Sequence, residues 1–397
     1  MIFSKSVKRE NYFLSQPHQP FFLLGIINAV VFMSLFALAY RSLVDITISV
    51  TFLHVYSLMF LVFSNFFTGF LFTTFPRFNQ AQIVHKSYYL KIFFANVIFE
   101  FLFLVGIFSS INLVKIGLFA LLVSHLFVVG KLYLIFKNGK SINKKDSFWI
   151  LIANFFGLLG EALFLLYLFG ILDLRFAINI SFYMYLIFLT FSVAQRMIPF
   201  FSHSLEPKDP RFVGMIFTLF IFKTIASFYD TLGYVKIFEA ILDLCIGIYM
   251  LREFLRWKLP SFNSPAILWV LHLGLFWLPV AFLISGLTLL VESVWGINFY
   301  FMGIHFLSLG FLSTVFVGFG TRVILGHSGQ PPHTDSFAKN IFLFVQVVLL
   351  LRVLYSVSIA FDLKLEPLFD ISVTAWLILF IVWGLRYGKM LVYKKNI

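Results

Sequence analysis

The chain has 397 residues, of which 61% are hydrophobic and 12% charged, with a mean hydropathy of +0.97 and a formal net charge of +13. Soluble domains carry about a quarter charged residues. The composition therefore excludes a soluble globular protein and specifies an all-α, polytopic membrane protein.

The first 17 residues are polar and basic, and the apolar run behind them lacks a small-residue cleavage site, which predicts a retained first helix rather than a cleaved signal. Runs of spanning length, about 20 residues each, are laid at 20–40, 50–73, 86–108, 110–136, 147–170, 175–200, 212–232, 234–256, 265–290, 297–325, 337–360 and 368–388. They predict twelve transmembrane helices in a single domain over residues 1–397. No loop is long enough for a soluble domain, so chemistry is confined to the bilayer and its two faces. Most Lys and Arg fall on one side of this topology, and the other side holds Arg41, Lys115, Arg175, Lys236 and Lys364. By the positive-inside rule both termini are cytoplasmic. The basic balance is thus explained by topology, and no nucleic-acid partner is expected.

Helix 2 opens with His54-Val55-Tyr56-Ser57-Leu58, and helix 10 repeats the pattern as His305-Phe306-Leu307-Ser308-Leu309. Gly69 and Gly320 each follow fifteen residues after the His, and Arg77 and Arg322 lie near the two ends. Both helices run inward from the outer face, so the two imidazoles fall at one level, about 6–12 Å deep at 1.5 Å per residue. An ionisable side chain inside a bilayer is costly and marks a site by default. Matched His on separate helices supply the two axial nitrogens of a b-type haem, each ring needing its other N–H oriented. Ser57 and Ser308, on the same helical faces, are the expected orienting groups.

The cytoplasmic ends gather Arg196 and His203 after helix 6, Arg322 and His327 after helix 10, and His18 before helix 1. Such a cluster binds carboxylates, among them haem propionates, or forms a basic rim. His272, about 10 Å into helix 9, makes a second metal or haem site on this face; His85 and His333 belong to the same side. Inside the bilayer, His125 lies mid-helix, Lys223 and Asp243 are level and expected to pair, and Glu100, Glu239 and Arg352 are also present. Glu161, without an evident partner, is the proton-relay candidate. Pro199 and Pro279 are expected to interrupt helices 6 and 9, as packing kinks or as a transport site. Cys245 is alone, with no disulfide, haem-attachment or zinc pattern, and nucleotide-loop and hydrolase motifs are absent.

Four patches resemble the NnrS family of bacterial membrane proteins, in that family's order from helix 1 to helix 10. HQPFFLLG (His18–Gly25) is similar to its Arg-Pro-Phe-Phe-Leu opening, with Gln19 in place of Arg. LHVYSLMF followed by GFLFTTFPRF resembles its Trp-His-x-His-Glu-Met segment and the Gly-Phe-Leu run behind it. QRMIPFF resembles Gly-Arg-x-Ile-Pro-x-Phe, and LWVLHLGLFWLP and TRVILGHSG are similar to Trp-x-x-His-x-Gly-x-x-Trp and Thr-Arg-x-x-Leu-Gly-His-Thr-Gly. The resemblance carries His54, His272, His305, Arg196, Pro199, Arg322 and His327 onto family positions. It departs at Tyr56 and Ser57, where the family has His and Glu, which removes two potential copper ligands.

The resemblance implies a twelve-helix protein with haem b and copper, linked to nitric oxide metabolism and nitrosative-stress tolerance in the bacterial inner membrane. The helix 2/helix 10 His pair also looks like the low-spin haem site of haem-copper oxidases, whose helical bundle is the expected architecture; their three-His copper site has no counterpart. The expected activity is nitric oxide binding, electron transfer or nitric oxide reduction, with His54 and His305 as axial ligands. A quinol or other membrane electron donor is the expected partner, and His18, His203, His272 and His327 are the further metal-ligand candidates. Two other readings are a transporter or export factor for an anion, without a redox cofactor, and a redox subunit that works only in complex.

Overall fold

The computed structural model describes residues 12–204, 206–229, 232–260, 264–330 and 334–394. They fold into α1 (His18–Tyr40), α2 (Val50–Phe78), α3 (Lys86–Ser109), α4 (Ile111–Asn138), α5 (Lys145–Leu168), α6 (Leu174–Phe201), α7 (Phe212–Ala226), α8 (Gly233–Arg256), α9 (Ala266–Trp295), α10 (Met302–Ser328), α11 (Ser336–Ala360) and α12 (Pro367–Tyr393), with no strand among the described residues. Side chains start several of them: Ser49, Ser110, Asp173 and Asp335 accept the backbone N–H of Phe52, Asn112, Arg175 and Ala338. Gly296 and Gly329, at φ +71° and +76°, end α9 and α10 in the left-handed conformation that glycine adopts without strain.

Ten of the twelve are long and apolar enough to cross a membrane. The other two fall short for physical reasons. α7 has 15 residues, about 22 Å of helix at 1.5 Å per residue. α8 carries Glu239 and Asp243, which face Lys223 of α7: Lys223 Nζ donates to Glu239 Oε1 at 2.6 Å and to Asp243 Oδ2 at 2.7 Å. Ser227 and, from α9, Ser285 donate to the same two carboxylates, each at 2.7 Å. The expected Lys223–Asp243 pair is present, and Glu239 completes it.

The helices form three successive groups of four, α1–α4, α5–α8 and α9–α12. In each group the second helix is the inner one, and α2, α6 and α10 are the most buried of the ten spans. Each of these three contains a π-helical stretch, at Ser57–Phe63, Ile180–Ile187 and Phe306–Ser313. Hydroxyls support two of the stretches by reaching back five residues: Ser64 Oγ donates to the Met59 carbonyl at 2.9 Å and Ser313 Oγ to the Ser308 carbonyl at 2.7 Å. The first and second helices of every group meet at glycines. Gly25 and Gly69 admit α1 against α2, Gly157 and Gly160 admit α5 against α6, and Gly274 and Gly318 admit α9 against α10. A Cβ at any of these positions collides with the facing helix, which is how small residues bring helices together where no water drives them.

The inner helices meet in an apolar seam. Phe316 packs on Phe63, Phe66 and Phe67, and Phe319 on Phe70. Pro76, Pro199 and Pro279 lie inside α2, α6 and α9, which continue past them. The expected interruption at Pro199 and Pro279 is thus not seen among the described residues.

Candidate functional site

His54 stands three residues before the π stretch of α2, and His305 immediately before that of α10. The two occupy matching places in the first and third groups of helices; α6 has Asn179 beside its π stretch. His305 Nδ1 bonds the Phe301 carbonyl at 2.8 Å. A carbonyl only accepts, so Nδ1 carries the proton and Nε2 is left with its lone pair free to ligate. That carbonyl is aimed by an unusual turn: Tyr300 and Phe301 both have positive φ, +39° and +59°. Left-handed non-glycine residues cost about 1–3 kcal/mol each and persist where the surroundings over-determine them. Here Asn298 Oδ1 accepts the Tyr300 N–H at 2.7 Å, and Ser356 Oγ donates to the Tyr300 carbonyl at 3.0 Å.

The His54 ring stacks on Phe36, with centroids 4.1 Å apart, and its buried Nδ1 has no hydrogen-bond partner among the described residues. Ser57 Oγ is likewise buried and unpaired, while Ser308 contributes its carbonyl to Ser313. The expected orienting role of Ser57 and Ser308 therefore passes, for His305, to a backbone carbonyl. Arg352 of α11 lies within electrostatic reach of both imidazoles. Its guanidinium packs over the rings of Tyr300 and Tyr355 and donates to Ser356 Oγ at 2.7 Å. Tyr355 in turn reaches the Tyr40 hydroxyl at 3.5 Å, and Phe369 stacks on Tyr40 and touches Phe36, closing an aromatic ring around the outer end of the site.

At the opposite end the expected cluster is split among separate contacts. His18 and His327 touch, with ring centroids 4.5 Å apart, and Arg77 is within electrostatic reach of both. His18 is buried and its Nδ1 has no partner, whereas the Tyr12 hydroxyl donates to the His327 carbonyl at 3.4 Å. Rings this close leave no gap for a macrocycle between them. His272 does not join them: its Nε2 meets Ser202 Oγ at 2.7 Å beyond the end of α6. Arg196 is held by Asp146 at 3.0 Å and lies over Phe78; Arg322 lies over Phe201, 3.9 Å from the ring centre. Lys208, in the loop after α6, donates to the carbonyl and side chain of Gln195, and burial pushes its ammonium down to about 8. His203 is exposed, and His333 lies outside the described residues.

Glu161 has partners that the sequence did not reveal. Tyr56 donates to Glu161 Oε1 at 3.1 Å, and His125 Nδ1 meets Oε2 at 2.9 Å. A small cavity joins this pair to Glu100, whose oxygens accept from Asn28 at 2.8 Å and Asn65 at 2.5 Å. The cavity has about 20 Å³ for water centres, room for about one molecule. Among the described residues there is no group of three or more His, Cys, Asp or Glu placed to hold a metal ion.

A search of curated proteins finds no match. The NnrS protein family matches residues 12–395, nearly the whole chain, which covers all twelve helices and both histidine pairs. A multi-pass, nitric-oxide-related membrane protein follows from that match, and the chain belongs to the NnrS family.

Proposed function

We propose that this protein is a haem b protein of the bacterial inner membrane, with His54 and His305 as axial ligands, acting on nitric oxide by binding it, by passing electrons or by reducing it. The observation that carries the reading is the protonated Nδ1 of His305, fixed on the Phe301 carbonyl, which leaves Nε2 free as a ligand within electrostatic reach of His54, whose own Nδ1 is buried and unpaired. These two residues fit an axial pair. Haem, when bound, supplies a one-electron iron centre whose potential responds to nearby charge and burial. The chain's own residues hold the rings, shut the outer end with aromatic side chains and place Arg352 beside the pair. A quinol or another membrane donor is the proposed electron source.

Copper is proposed at the inner face only, at the touching pair His18 and His327, where His18 Nδ1 is a buried unpaired nitrogen. Two imidazoles, with Arg77 beside them, make an incomplete site for a resident ion, and His272 is proposed as a separate ligand position near Ser202. The proposed proton path uses Glu161, His125 and the cavity leading to Glu100. Optical spectra and metal content of the purified protein, wild type against His54→Ala, His305→Ala and His18→Ala, test the assignment. Loss of haem with the first two and of copper with the third is the expected pattern, and retention of haem in both of the first two refutes the axial pair.

A further inference from the structure

Arg352 differs from Lys223 of α7, which holds two carboxylates, and from Arg41, Arg175 and Lys236, which each hold one. Lys131 and Arg322, also within spans, lie over single aromatic rings. Arg352 lies eight residues before the end of α11, about 12 Å along the helix, and no carboxylate pairs with it among the described residues. Its Cζ lies over the Tyr300 and Tyr355 rings, 5.7 and 5.2 Å from their centres, the two rings being perpendicular to each other. Of its in-plane N–H groups, Nη1 is used on Ser356. A guanidinium has five such donors, and the remaining fork matches a carboxylate in two-point geometry.

We propose that Arg352 is the anchor of an oxyanion-binding site at the outer side of the His54–His305 site, taking a carboxylate or a carboxylate-like anion. Tyr40, Tyr300, Tyr355 and Phe369 contact one another around it, and at a half-buried site a paired anion is held more firmly than at a fully exposed surface. The propionates of a haem held by the two histidines are one source of that anion, and for that source the inference rests on the proposed function. A free oxyanion entering from the outer face is the other. Arg196 and Arg322, where the sequence pointed for propionates, lie at the opposite end of the helices.

The test uses the full-length protein and its Arg352→Gln and Arg352→Lys variants in detergent. Haem content, the rate of haem loss to excess apomyoglobin, and the reduction midpoint are measured, alongside thermal stabilisation by sodium nitrite against sodium chloride at equal ionic strength. For propionates, Arg352→Gln loses haem at least about tenfold faster, the low end for a missing charge-assisted pair. Its midpoint also falls, because a cation favouring the reduced state is gone, and Arg352→Lys recovers part of the midpoint. For a free oxyanion, haem retention is unchanged, and the stabilisation by nitrite seen in the wild type disappears in Arg352→Gln. A wild type without haem refutes the proposed function but leaves the nitrite arm decisive. Unchanged retention together with an unchanged nitrite response in a folded Arg352→Gln overturns the site, even if the midpoint shifts from the lost charge, and leaves Arg352 a packing residue beside two tyrosines.

Discussion

The triad of Lys223, Glu239 and Asp243 sets a measurable expectation for α7, α8 and α9. Lys223 Nζ sits 2.6 and 2.7 Å from its two carboxylates, and all three groups are buried. At an effective dielectric near 20, each contact is worth about 6 kcal/mol. Desolvating three ions at several kcal/mol each cancels most of that, so the intact triad contributes little net stability. Removing one partner alone is different, because Lys223→Met strands two carboxylates between helices. The expected loss is about 3–5 kcal/mol, read by SDS titration of the purified protein with helix content as the signal. The triple variant Lys223→Met/Glu239→Gln/Asp243→Asn leaves no stranded charge and is expected within about 1–2 kcal/mol of wild type. A single variant as stable as wild type, or a triple variant no better than the single, refutes this reasoning.

Phe301→Gly is expected to leave stability unchanged or raise it by up to about 1 kcal/mol, since Phe301 is 61% exposed and its positive φ suits glycine. Phe301→Val, β-branched at the same φ, is expected to lower it; equal effects of the two in SDS titration contradict the strain assigned to this turn. Gly274→Leu places a side chain against the Val315 backbone and is expected to cost about 1–3 kcal/mol by forcing α9 from α10. Native-like stability there refutes the glycine contact. For Lys208 the sign is set by its depressed pKa: the folded state releases the proton near pH 8 and the unfolded chain near 10.5. Stability therefore rises from about pH 8 to 10.5 in the wild type relative to Lys208→Met, and is lost again below it. Parallel pH profiles for the two proteins contradict that placement.

Much of the fold was legible because a bilayer leaves few choices: apolar runs of spanning length become helices. The predicted boundaries lie within a few residues of most observed ones, as at 110–136 against Ile111–Asn138. The largest difference is at α7, set at 212–232, which ends at Ala226, and α2, α9, α10 and α12 each differ by five residues at one end. The repeat of His54 and His305 was legible because both positions kept His and a Ser three residues on. The third copy of the pattern was not, because α6 presents Asn179 and Ile180 at that point. What the sequence withheld depends on contacts between helices or on backbone direction. The face of α11 that carries Arg352 is undetermined without its neighbours, and no residue type announces that the Phe301 carbonyl turns toward His305. Glu161 looked solitary because Tyr56 and His125 reach it from two other helices.

The central claim is an axial haem between α2 and α10, and one measurement addresses it most directly. Reduced-minus-oxidised optical spectra of the protein, expressed with ample haem and purified in mild detergent, are compared among wild type, His54→Ala, His305→Ala and the inner-face control His272→Ala. The account predicts a Soret band with sharp reduced α and β bands in the wild type and in His272→Ala, lost in the other two while their helix content is kept. A colourless, folded wild type, or haem bands that survive both outer substitutions, contradicts it.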